Sequence, residues 1–108
     1  MRGADIEAKD TPGYTALMYA CNAGQLGAAR LLINAGAEVD SCDLEGSAPL
    51  MFAAQDGHLD IARKLIEAGA DPWRRDQHRY TAMDFGKRNG RQSVTRYLSE
   101  VPIVKPRK

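Results

Sequence analysis

Along residues 59–67 the apolar side chains Leu59, Ile61, Ala62, Leu65 and Ile66 recur at helical spacing, with Asp60, Arg63, Lys64 and Glu67 between them. This pattern predicts a short amphipathic helix with one face against a core. Gly69 ends it. Ahead of it, Pro49 suits a first helical turn, where the missing N–H has no intrahelical partner in any case. Gly57 then closes a second helix over 49–56 by supplying the left-handed residue of a helix C-cap. Asp71-Pro72-Trp73 does not readily continue a helix, so the chain is expected to turn outward as an arm toward Asp76. The same succession stands upstream as helices over 16–23 and 26–35, closed by Gly24 and Gly36.

These patterns are one pattern displaced by 33 residues. Segments 10–42 and 43–75 are identical at 14 of 33 positions, where average composition gives roughly two or three. The displacement aligns Asp10 with Asp43 and Asp76, Gly24 with Gly57 and Gly90, and Leu32 with Leu65 and Leu98. A repeat of this length cannot bury its apolar face alone, so neighbouring units are expected to stack into a solenoid. Residues 1–9 match the tail of a preceding repeat, since Gly3-Ala4-Asp5-Ile6 aligns with Gly36-Ala37-Glu38-Val39. Units follow at 10–42 and 43–75. The third, 76–100, has Gln92, Thr95 and Ser99 where the others have Leu26/Leu59, Ala29/Ala62 and Ile33/Ile66. It also carries Arg79 in place of a turn glycine. A polar outer face is what a terminal repeat needs, so this unit reads as a C-terminal cap, and 101–108 as a basic tail or linker. Unit one has no such cover. It is expected to expose apolar surface near Leu17, Leu26 and Leu31, either covered by repeats outside this sequence or used for self-association.

The units resemble the ankyrin repeat over about residues 1–100. Gly13-Tyr14-Thr15-Ala16-Leu17-Met18-Tyr19-Ala20-Cys21-Asn22-Ala23-Gly24 and Gly46-Ser47-Ala48-Pro49-Leu50-Met51-Phe52-Ala53-Ala54-Gln55-Asp56-Gly57 are similar to the family's Gly-x-Thr-Pro-Leu-His-x-Ala-Ala-x-x-Gly core. Leu32-Ile33-Asn34-Ala35-Gly36-Ala37-Glu38 and Leu65-Ile66-Glu67-Ala68-Gly69-Ala70-Asp71 resemble its Leu-Leu-x-x-Gly-Ala-Asp ending. The resemblance implies an all-α repeat solenoid of paired antiparallel short helices with protruding β-turn or hairpin arms. Met18 and Met51 replace the usual His, and Ala16 and Ala48 break the Thr-Pro pair. Side-chain hydrogen bonds near those helix starts are therefore expected to be missing.

Composition adds few constraints. At 108 residues, 44% hydrophobic and 27% charged, the chain is one small domain. Its longest apolar stretch, around Leu31-Leu32-Ile33, is interrupted by Arg30 and Asn34 and predicts no membrane span. Two cysteines and no apolar leader point to a reducing compartment, cytoplasmic with the nucleus as a second location. The net charge of +1 conceals a split. Residues 1–72 carry 5 Lys/Arg and 11 Asp/Glu, net −6, and residues 73–108 carry 10 and 3, net +7.

No catalytic constellation assembles, and the chain is expected to be neither an enzyme nor a holder of metal or cofactor. His58 is expected to help satisfy free N–H groups at a helix start. Cys21 reads as a packed thiol and Cys42 as an exposed arm residue; with His58 and His78 they fit no zinc spacing. Asp10, Asp43 and Asp76, one per arm, read as turn residues. The glycines follow the repeat period and form no phosphate loop.

What remains is recognition. The resemblance implies contacts from the arm tips and the wet face of each first helix. In this sequence that surface comprises Tyr14 in the first unit, then Leu44, Glu45, Ser47 and Asp56. It continues with Trp73, Arg74 and Arg75 at the end of the second unit and His78, Tyr80 and Arg88 in the third. Trp, Tyr and Arg dominate binding hot spots because they bury much area and still offer directed hydrogen bonds. The expected partner is a protein or peptide carrying both charge signs, anchored by Trp73, Arg75 and Tyr80. The rival expectation is attachment of the basic C-terminal part to nucleic acid or acidic membrane lipid, which would weaken steeply with salt.

Overall fold

The structure, a computed structural model, describes residues 6–101. The readings placed on residues 1–5 and 102–108 lie outside the described residues. Six helices follow one another: α1 (Ala16–Ala23), α2 (Leu26–Asn34), α3 (Pro49–Asp56), α4 (Leu59–Glu67), α5 (Ala82–Arg88) and α6 (Gln92–Glu100). Among the described residues none forms a strand, and none of the helices is long and apolar enough to cross a membrane.

The helices form three antiparallel pairs, α1–α2, α3–α4 and α5–α6, stacked in two rows. In one row α3 packs between α1 and α5; in the other α4 packs between α2 and α6. Gly24 and Gly57 end α1 and α3 with φ of 72° and 76°, and their N–H groups return to carbonyls of the last turn. Alanines at the helix contacts, Ala20, Ala29, Ala53, Ala54 and Ala62, are almost wholly buried and let the helices approach closely. Leu17, Leu50, Ile61, Leu65, Val94 and Leu98 fill the space between units.

The α2–α4–α6 row has two unlike ends. In α6, Gln92, Ser93, Arg96 and Ser99 are exposed. In α2, Leu31 is 73% exposed and Leu26 half-buried. The apolar edge expected around Leu17 is corrected here. Leu17 is only 2% exposed, because α1 presents it to the core it shares with α3. The bare apolar surface is narrower and centres on Leu31.

The helix starts show three solutions to one need. Thr15 caps α1 through its hydroxyl, which accepts from Met18 N at 3.3 Å. Thr81 and Asp84 cap α5 reciprocally, the Asp84 carboxylate accepting from Thr81 N at 2.9 Å and the Thr81 hydroxyl from Asp84 N at 3.2 Å. Among these first helices α3 alone starts without a side-chain oxygen; Ala48 N instead reaches the Met51 sulfur at 3.4 Å. The expected loss of capping therefore applies to one unit. His58 likewise does not cap α4. Its ring lies against Gly24 of the preceding unit, where a Cβ would come within 2.6 Å of it. Arg91 covers Gly57 in the same manner and donates from Nε to Gln55 O at 3.1 Å. These two residues seal the joint between successive helix pairs.

Candidate functional site

Each arm is a tight turn organised by one aspartate. Asp43 Oδ1 accepts from Glu45 N and Ser47 N, and Asp76 Oδ1 from His78 N and Tyr80 N, all at 2.9 Å. Asp10 Oδ1 accepts from Tyr14 N at 2.8 Å. A short carboxylate that bonds the backbone ahead of it holds a turn without any further partner. Neighbouring arms then join by single backbone bonds, Leu44 N to Pro12 O at 3.1 Å and Gln77 N to Glu45 O at 2.9 Å. Gly13 and Gly46 permit that approach: a Cβ on either would stand 3.0–3.1 Å from the next arm's amide nitrogen.

The turns aim the residues after them toward the first helices. A cleft of about 540 Å³ lies between arms and helices and crosses all three units. Of the residues expected at a binding surface, Tyr14, Glu45, Ser47, His78, Tyr80 and Arg88 line it. Asn22 and Gln55, expected from the wet face of the first helices, line it as well, and so do three apolar residues not expected there, the half-buried Phe52 and Phe85 and the buried Met51. The signal that could have found Phe52 and Phe85 is their register: with Tyr19 they occupy one repeat position, on the face of the first helix that looks toward the arms.

Aromatic rings form the two ends of the cleft. Tyr14 meets Phe52 edge-on at 5.5 Å between centroids and Tyr19 at 5.3 Å. Tyr80 meets Phe85 edge-on at 5.9 Å, and the Arg88 guanidinium lies 4.8 Å above the Tyr80 ring and 6.0 Å from Phe85. His78 stands 6.4 Å from Tyr80. Ser47, the middle residue of the series Tyr14, Ser47, Tyr80, leaves a gap between these ends. The Asp43 and Asp76 carboxylates are buried into their own turns, while Glu45 and Arg88 remain exposed. Asp10 accepts the Tyr19 hydroxyl, which raises the Tyr19 pKa.

Other expected contact residues fall elsewhere. Leu44 is 76% exposed at an arm tip but does not line the cleft, and Asp56 faces Gly57, Gly90 and Arg91 beyond the end of α3. Trp73, Arg74 and Arg75 are also outside it. Trp73 is half-buried, its backbone N–H donating to Asp71 Oδ1 at 2.9 Å, and Arg74 reaches the Cys42 sulfur with Nη2 at 3.3 Å. The anchor expected from Trp73, Arg75 and Tyr80 together is therefore split, with Tyr80 alone in the cleft. The reason is local: Trp73–Arg75 precede the aspartate turn that redirects the chain. Cys42 is half-buried rather than exposed, with Lys9 donating to its carbonyl at 2.9 Å. Cys21 is wholly buried, and burial pushes its thiol up to about 12.

Comparison with known proteins agrees with this geometry. A family model for ankyrin repeats, in three copies, matches residues 1–76. No curated protein matches the chain. Ankyrin repeats generally mediate protein–protein interaction and are typically without enzymatic activity. The 33-residue period, the stacked helix pairs and the matched repeats together make this chain a member of the ankyrin repeat family.

Proposed function

We propose that the chain is a non-enzymatic interaction module, a scaffold or regulatory ankyrin domain, that takes a protein or peptide segment along the cleft between its arms and α1, α3 and α5. The observation that supports this reading is the cleft itself. Three units contribute half-buried and exposed aromatic rings, amide side chains, the exposed charges of Glu45 and Arg88 and the turn-bound carboxylates of Asp43 and Asp76 to a single continuous lining. Tyrosine and arginine in that setting offer large contact area together with directed hydrogen bonds, the combination that dominates interface energies. The basic residues Arg74 and Arg75 serve as long-range attraction for an acidic partner rather than as anchors in this reading.

The test is capture of partners from lysate at physiological salt by the wild-type chain and by two folded variants. Tyr80→Ala with Arg88→Glu should lose the captured protein, and Arg75→Glu should retain it. Equal capture by the wild type and the Tyr80/Arg88 variant would place recognition outside the cleft and end this reading.

A further inference from the structure

We infer that Ser47 opens a notch for one apolar side chain of the partner segment, and that Arg88 holds a carboxylate from an acidic residue beside it. This inference rests on the reading of the cleft as the binding surface and says what that surface recognises.

The argument starts from three arms with the same turn. Tyr14, Ser47 and Tyr80 occupy equivalent positions, and the backbone N–H of each is bonded to its own arm's aspartate. The turn is therefore indifferent to the side chain there. Two tyrosines with a serine between them leave a gap one side chain wide, with Phe52 in its lining. An apolar group entering it meets aromatic surface, and hydrocarbon taken from water against rings is a favourable exchange.

Arg88 supplies the direction. Its guanidinium stacks on Tyr80 and Phe85, and no carboxylate among the described residues pairs with it. The stacking contact holds the guanidinium at the wall of the cleft, and a guanidinium fork takes a carboxylate through two parallel bonds. Glu45 lines the same cleft from the arm side, exposed, with the turn-bound carboxylates of Asp43 and Asp76 behind it. It repels additional negative charge, which favours a monoanionic carboxylate over a dianionic phosphate. Extended peptide with an apolar residue next to Asp or Glu fits the Ser47 gap and the Arg88 fork at once.

The experiment is selection from a random displayed peptide library against the full chain, followed by titration of the enriched peptides in synthetic form. Enriched peptides should share an apolar residue beside an acid. Ser47→Tyr, which restores the residue found in both neighbouring arms, should weaken them by at least about tenfold, the scale of losing one anchor. Ser47→Leu is the second filling variant should the tyrosine disturb folding, as checked by thermal midpoint. Arg88→Gln should weaken the acidic peptides about tenfold and leave their amide counterparts unchanged. Peptides that bind Ser47→Tyr and Ser47→Leu as well as wild type, yet are lost with Tyr80→Ala, would overturn the notch while leaving the cleft as binding surface. Peptides indifferent to every variant, or no enrichment at all, would remove both readings. Tighter binding of a phosphoserine in place of the acidic residue would overturn the carboxylate assignment.

Discussion

Arg79 has φ of 71°, where Gly13 and Gly46 stand at 90° and 82° in the first two arms. An L side chain in that region crowds its own backbone at a cost of about 1–2 kcal/mol. Arg79→Gly relieves this but loosens the unfolded chain, so the expected net gain is about 0.5–1 kcal/mol, read as a higher urea midpoint. Asp40 makes a different prediction. Burial raises its carboxyl pKa, even though its oxygens accept from Asp71 N at 3.1 Å and Arg74 pulls the other way. A raised acid contributes its stability in full below the ordinary 3.8 and loses it as pH climbs through the folded value. Asp40→Asn keeps the acceptor and removes the charge. It should flatten the decline in stability above pH 4, as followed by thermal melts across pH, and leave stability below pH 4 unchanged. At this scale the sequence is partly legible. Asp10, Asp43 and Asp76 declare themselves as turn residues because the bonds they make are to the next few residues. His58 does not, because its role lies in covering a glycine of another unit.

Helix boundaries were the most readable level. Pro49 starts α3 and Gly24 and Gly57 end α1 and α3, as local rules require, while α2 stops one residue before the expected 26–35 span ends. The caps were less readable, because their strength depends on side-chain geometry. Among α1, α3 and α5, α3 alone starts without a hydroxyl, and the Met51 sulfur that Ala48 N meets is a weak acceptor. Ala48→Thr should therefore stabilise the chain by about 1 kcal/mol, and Thr81→Ala should destabilise it by a similar amount. Chemical denaturation of the two variants checks both signs. A loss of stability in Ala48→Thr would mean that the space around this buried position, not the cap, decides.

Stacking governs the whole molecule. In a linear array each unit's stability adds its own term to those of its interfaces, so the middle unit matters twice. Leu65, buried in α4 between α2 and α6, should cost about 3 kcal/mol when changed to Ala and should melt all three helix pairs together. Leu98→Ala, equally buried at the edge, should instead release α5–α6 first. Hydrogen exchange resolved by helix pair distinguishes the two patterns. The cleft belongs to this scale too, which explains why sequence reading found only part of it. Tyr14, Ser47 and Tyr80 fall in line once the repeat is known, but Trp73–Arg75 looked equally suited, and only the arm's change of direction separates them.

The aspartate turns have one more consequence. Each carboxylate bonds to backbone N–H groups, so the turn itself is closed without the side chains of Glu45 and Ser47, or of His78 and Tyr80. Shape and message are written in different atoms. A single nucleotide change at one of these codons can thus alter what the surface reads while the frame that displays it stays intact, and such a module can acquire a new partner without first losing its fold.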